Sequence, residues 1–165
     1  MPNVNKRKGK YFEDKIAEDY RKIFNLSKLE CYRSSNSGAR LSLEYTGDIT
    51  FKDPLRYNLI TECKYYKDFS LEHVFPICQS YIEDWIIQVF EERQHYKKQF
   101  HKSALSLIIA SRPYLKYHYV IIISSDSDKI ENKIRFYSNR LNQFFSLISY
   151  KDIKKLFIEY KLLDQ

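Results

Sequence analysis

Two carboxylates and a lysine in the stretch TGDITFKDPLRYNLITECK, residues 46–64, are spaced for metal-assisted chemistry on a phosphate. Asp48 follows Gly47, and Glu62 and Lys64 close an apolar run, Leu59-Ile60-Thr61. Magnesium takes hard oxygen ligands, typically one or two carboxylates together with water and a substrate phosphate. Asp48 and Glu62 are the candidate carboxylates, and the backbone carbonyl of Cys63 is a candidate third oxygen. A divalent ion held there would stabilise charge on a phosphodiester and generate hydroxide at neutral pH. Lys64, next to that water, would orient the nucleophile or offset developing negative charge. A plain hairpin salt bridge, with Lys64 neutralising Glu62 and Asp48, is equally consistent with the spacing.

The Glu-x-Lys triplet decides nothing alone, because it occurs four times: Glu13–Lys15, Glu62–Lys64, Glu131–Lys133 and Glu159–Lys161. Three of these fall on segments that read as helices, where residues two apart point in different directions. Glu62–Lys64 differs because it ends a segment that reads as a strand. Strand side chains alternate, so Glu62 and Lys64 share one face and Cys63 takes the other. Two charges on one face of an interior strand call for a task or a partner.

The elements that must position these groups follow from periodicity and punctuation. Lys10 to Phe24 reads as a helix, with Phe12, Ile16, Tyr20 and Ile23 at spacings of three and four. Leu29 to Arg33 reads as a short strand, and the Ser-, Asn- and Gly-rich run 34–40 as a loop. Asp48–Lys52 and Tyr57–Lys64 read as strands joined by a turn at Asp53-Pro54, a hairpin that brings Asp48 alongside Glu62. Gly47 lets the backbone bend before Asp48. A long helical region is expected from about Leu71 to Phe100, with Pro76 in or just before its first turn. Its first part, to Glu92, holds Glu72, Glu83, Asp84, Glu91 and Glu92 and no Lys or Arg, and residues 93–102 hold four Lys or Arg and no acid. One part is thus suited to face DNA and the other solvent or a partner. Leu105–Ala110 and Tyr119–Ile123 read as buried strands, Asp126–Leu141 as a helix, Phe144–Ile148 as a strand, and the stripe Ile153, Leu156, Phe157, Tyr160 as a last helix. The sum is an α/β architecture, a mixed central sheet flanked by helices with extra C-terminal helices. A single domain over 1–165 is expected, its core at about 8–125 and a C-terminal elaboration at about 126–165.

Composition narrows the function. The chain has 165 residues, of which 44% are apolar, enough for a packed core. Only three glycines argue against a Gly-rich phosphate-binding loop, and no Walker-type or dinucleotide fingerprint is present. The net charge of +7 permits attraction to a polyanion, nucleic acid being the commonest. Cys31, Cys63 and Cys78 have neither disulfide nor zinc spacing, and no HExxH pattern joins the four histidines. No apolar run reaches the ~18 residues of a membrane span, and residues 1–10 are basic without a following apolar segment. No membrane contact and a reducing, cytoplasmic location are expected, in a host cell if the chain is phage-encoded.

Four motifs, in order, resemble the PD-(D/E)xK nuclease superfamily and, more narrowly, the Holliday junction resolvases of archaea, phages and viruses. Lys8-Gly9-Lys10-Tyr11-Phe12-Glu13 resembles the family's basic-glycine opening and its helix with an active-site glutamate. Tyr32-Arg33-Ser34-Ser35-Asn36-Ser37-Gly38 resembles the arginine and Ser/Gly-rich loop after the first strand. Gly47-Asp48-Ile49 stands where the family usually has Pro-Asp-Ile, and Ile60-Thr61-Glu62-Cys63-Lys64 resembles its Ile-x-Glu-x-Lys strand. The resemblance covers roughly residues 6–67. It implies a restriction-endonuclease-like fold and Mg2+-dependent cleavage of DNA, with Mn2+ able to substitute, leaving 5′-phosphate and 3′-hydroxyl ends. It implies a homodimer acting on branched, four-way DNA. It makes Asp48 and Glu62 metal ligands, Lys64 the catalytic lysine and Glu13 a further site carboxylate and metal ligand. Ser35 and Ser37 become candidates for the scissile phosphate.

Lys6, Arg7, Lys8 and Lys10 form a basic N-terminal arm, and Arg33, Arg40 and Lys67 are further candidates for DNA contact, with Lys97, Lys98 and Lys102 beyond them. Trp85 is expected in the core or at a dimer interface. The rival functions are a restriction-type or other phage nuclease acting on duplex DNA, an RNA-directed member of the fold, and a non-catalytic DNA-binding protein on the same scaffold. The departures, a longer helical region after Lys64 and the C-terminal part, bear on junction specificity more than on nuclease chemistry.

Overall fold

The computed structural model describes residues 4–34, 47–74, 78–113, 118–122 and 133–163. Helix α1 runs Val4–Phe24, and its apolar stripe of Phe12, Ile16, Ala17, Tyr20 and Phe24 is buried. The basic residues expected as an arm before the helix therefore belong to its first two turns. Strands β1 (Cys31–Arg33) and β2 (Ile49–Phe51) pair antiparallel, Cys31 opposite Phe51.

The expected Asp53-Pro54 hairpin turn is instead the start of a short helix, α2 (Pro54–Tyr57). Asp53 caps it by accepting the Arg56 N–H at 3.1 Å, proline sits in the first turn, and Asn58 ends it in the left-handed region. The same dipeptide chemistry serves turns and helix starts, so the residues were right and the element wrong. Consequently β2 pairs with β1 rather than laddering onto β3 (Leu59–Tyr65). One backbone hydrogen bond, Asp48 N–H to Thr61 O at 2.8 Å, ties the arm before β2 to β3.

After β3 comes a short 3₁₀ turn, Leu71–His73, capped by Ser70, and then α3 (Ser80–Phe100). The helix expected from Leu71 is thus shorter at its start; Pro76 lies outside the described residues. Strands β4 (Leu105–Ser111), β5 (Tyr119–Ile122), β6 (Ile134–Ser138) and β7 (Gln143–Ser149) follow, then a 3₁₀ turn, Tyr150–Asp152, and α4 (Ile153–Glu159). The helix expected over Asp126–Leu141 is overturned where it is described. Residues 134–138 form a strand because β7 supplies its hydrogen bonds and Phe145 packs opposite Phe136.

The five-stranded sheet has the order β3-β4-β5-β7-β6. Strands β3 and β4 are parallel and the remaining neighbours antiparallel. One face, with Leu59, Cys63, Leu107 and Ile109, packs against α1 and α4; the other, with Ile60, Ile108 and Ala110, packs against α3. This is the mixed sheet between helices that the sequence implied, consistent with a restriction-endonuclease-like fold. No described helix is long and apolar enough to cross a membrane.

Candidate active site

Strand β3 is the edge of the five-stranded sheet among the described residues, and the site is built against its outer side. Gly47 makes the approach possible. Its φ is +83°, and a Cβ there would meet the Thr61 carbonyl oxygen at 2.8 Å. Only glycine combines that backbone angle with so close a contact. Asp48 is then gripped from both sides: its N–H reaches Thr61 O, and its carbonyl accepts the Ser34 N–H at 2.8 Å. Its side chain turns to the strand, where Oδ2 accepts the Cys63 N–H at 2.8 Å.

The alternation expected of β3 is observed. Cys63 is buried in the core beneath α1, and Glu62 and Lys64 face α3. Lys64 Nζ donates to Glu62 Oε2 at 2.9 Å and to Gln88 Oε1 at 2.7 Å. Of the salt bridge posed as the plain alternative, the Lys64–Glu62 half is present, inside a larger cluster. Gln88 Nε2 donates onward to Glu92 Oε1 at 3.1 Å. Glu92 is 7% exposed, and its Oε2 has no hydrogen-bond donor. Glu62 lies within reach of Glu92, yet two carboxylates are both acceptors, so neither can satisfy the other unless one carries a proton.

Glu13 is brought to the same place by α1. It lies seven residues, two helical turns, before Tyr20, whose hydroxyl bonds the Thr61 side chain at 3.0 Å beneath β3. Glu13 is nearly buried and pairs with Arg33 at 3.5 Å. Arg33 also pairs with Asp14 at 3.2 Å, so its charge is already shared between two acids of α1.

These carboxylates are crowded with negative charge. Burial, then Glu62, and further Glu13 push the Asp48 carboxyl up to about 8, against the partial relief of the Cys63 N–H and Lys64. Burial, then Glu92, push Glu62 up to about 7, with Lys64 pulling the other way. Glu92 is raised as well, chiefly by burial. Burial opposes the Lys64 charge, but Glu62, Asp48 and Glu92 outweigh it and hold its pKa above the usual lysine value. A buried set of mutually repelling carboxylates is a place where a cation is favoured. Among the described residues no group of three or more His, Cys, Asp or Glu side chains is disposed as a metal cage. Two carboxylates with a backbone carbonyl is the sparser donor set that magnesium accepts, since it keeps waters and substrate oxygens.

Gln88 and Glu92 were missed by sequence reasoning. Their i, i+4 spacing on α3 was legible, but the acidic half of that helix was expected toward solvent or a partner. Glu83 departs in the same way: it is buried and accepts the Ser138 hydroxyl at 2.7 Å. Arg7, Lys8 and Lys10 are exposed on α1, Lys67 is exposed just after β3, and the backbone of Lys6 is in α1. Ser35, Ser37 and Arg40 lie outside the described residues. Trp85 is half-buried on α3, its ring 5.0 Å from Tyr81 and 5.8 Å from Tyr66.

A helix glutamate, an aspartate beside a sheet edge and a Glu-x-Lys on the edge strand, set on a mixed sheet between helices, define the PD-(D/E)xK class of nuclease. The family described as "Phage putative PDDEXK endonuclease" matches residues 4–162, and the chain belongs to it. No curated protein and no solved structure shows a significant match to the chain. Family membership carries PD-(D/E)xK-type nuclease activity on DNA, which in such enzymes usually depends on a metal.

Proposed function

We propose that the chain is a Mg2+-dependent endodeoxyribonuclease that hydrolyses phosphodiester bonds at the edge of β3. Water adds to phosphorus and the P–O3′ bond breaks, leaving a 5′-phosphate and a 3′-hydroxyl. Asp48 and Glu62 would hold the metal, with Glu13 a further carboxylate and Mn2+ a substitute ion. The N–H and C=O of a strand residue leave by the same edge, and the Cys63 N–H points to Asp48. The Cys63 carbonyl is accordingly the third oxygen of the set. When bound, the ion supplies charge stabilisation and an acidified water.

The observation that carries this reading is Lys64, held as a cation between Glu62 and Gln88 in a cluster of acids. Its ammonium orients the attacking water and offsets charge gathering on the phosphate oxygens. Gln88 keeps it in place, because Glu92 accepts from the Gln88 amide nitrogen and so turns its oxygen toward Lys64. Lys6, Arg7, Lys8, Lys10, Arg40 and Lys67 would contact phosphates, with Ser35 and Ser37 near the scissile one. Arg33, tied to Glu13 and Asp14, would contribute mainly by holding Glu13. The family description favours a broad phage-type DNA nuclease over junction resolution in particular; four-way junctions and homodimers remain testable refinements.

The test is cleavage of synthetic four-way junction, flap, linear duplex and RNA substrates with Mg2+, beside EDTA. Lys64→Ala is expected to lose at least about 100-fold in kcat. Gln88→Ala is expected to lose about tenfold, the cost of one hydrogen bond to a charged group. A wild-type chain that cuts none of these substrates would sink the catalytic reading. Junction-selective cutting would restore the narrower one.

A further inference from the structure

We propose that the cleft between the first turns of α1 and the carboxyl ends of β3 and β4 binds an unpaired DNA strand. The cleft has a volume of about 750 Å³, and its walls include Lys8, Tyr65, Tyr66, Lys67 and Arg112. Strands β3 and β4 are parallel and register Tyr65 with Ser111. Lys67 and Arg112 therefore emerge side by side just past the sheet, and Lys8 faces them from the helix. Among the described lining residues, three cations against one acid, Asp68, suit a phosphate backbone.

The rings decide which kind of strand. Tyr66 is 41% exposed at the cleft. It rests on Tyr81 at 4.9 Å and Trp85 at 5.8 Å, so its free face is held in position from behind. Tyr65, on the α1 side of the cleft, is backed by Phe12 at 5.7 Å. Supported aromatic faces beside cations form the stacking platform that single strands use, each base offering a π-face. Paired bases keep their faces covered by their neighbours, so a duplex would meet the cations and leave the rings unused. Tyr65 follows Lys64 in β3 with its side chain on the opposite, α1-facing side, so the cleft lies past the carboxyl end of the strand that carries Lys64. The choice of ligand rests on the nuclease reading; the cleft itself does not. It gives that nuclease a preference for flaps, gaps or other DNA with an unpaired arm.

Binding of the full chain to a labelled oligothymidylate and to a duplex of equal length, by fluorescence anisotropy in EDTA, separates the possibilities. Tyr66→Ala is expected to weaken single-strand binding by about 5- to 100-fold, the usual worth of one stacked base, and to leave duplex binding within twofold. Tyr66→Phe, which keeps the ring, should restore it. Arg112→Gln should weaken binding and reduce the salt slope for the single strand by about 0.7. Thermal unfolding of each variant establishes that it folds. Equal losses on single strand and duplex, or no loss with either, would overturn the proposal. Because these measurements exclude metal, their outcome is independent of whether any substrate is cut.

Discussion

At the residue scale, Asp48 and Glu62 make the protein's stability depend on pH, and, on the proposed reading, on metal as well. Their folded pKa values, about 8 and about 7, lie above those of the unfolded chain, near 4. Between those values the folded state holds protons that the unfolded chain has released, so stability falls as pH rises through that window. On the proposed reading, a divalent ion that displaced the protons would cancel the trend, because it would bind the ionised folded form best. Without metal, the unfolding midpoint should therefore fall between pH 5 and pH 8.5, and added Mg2+ should raise it most at the alkaline end. Asp48→Asn should flatten the metal-free profile and blunt the Mg2+ response. A midpoint that rises with pH in EDTA for the wild type would contradict the raised pKa values.

At the element scale, the site depends on how closely the arm before β2 can press on β3. Gly47 sets that distance. In Gly47→Ala the side chain would have to occupy a left-handed conformation costing about 1–2 kcal/mol, and its Cβ would abut Thr61. The backbone must shift, and the Asp48 hydrogen bonds to Thr61 and Cys63 shift with it. Gly47→Ala should therefore lose stability by at least that amount in denaturant titration and also lose its stabilisation by Mg2+. Retention of the full Mg2+ effect would mean that Asp48 is positioned by something other than this contact. A proline in the family's usual place would need a negative φ, so the loop here is built differently from one that carries Pro-Asp.

At the scale of the whole molecule, the C-terminal segment shares the main core. Strand β7 lies between β5 and β6, and Phe145, Leu147 and Ile148 divide between the two faces of the sheet. Leu156 and Phe157 of α4 pack with Tyr20 and Phe24 of α1, the helix that carries Glu13. A chain ended after Ile122 would uncover the edge of β5 and open the core under α1. It should lack a cooperative thermal transition and yield insoluble protein. A folded, active product of that truncation would establish the segment as a separable addition.

The sequence by itself determined the period-two placement of Glu62 and Lys64 and the stripe of α1 that ends near Glu13. Both follow from local geometry, alternation in a strand and 3.6 residues per turn in a helix. It also determined the conformational freedom needed before Asp48, because glycine alone reaches φ +83° against a neighbouring backbone. The partners of those residues were decided only in three dimensions. Gln88 lies 24 residues beyond Lys64 in another element, and no local rule turns that face of α3 inward. Residues 134–138 became a strand through Phe145 and the hydrogen bonds of β7, and the arm before β2 reached β3 through the Asp48 bonds to Thr61 and Cys63. Secondary-structure periods are set by the backbone of a few neighbouring residues. Which faces meet is set by burial and pairing between segments far apart in the chain, and in this protein the environment of Lys64 belongs to that second kind.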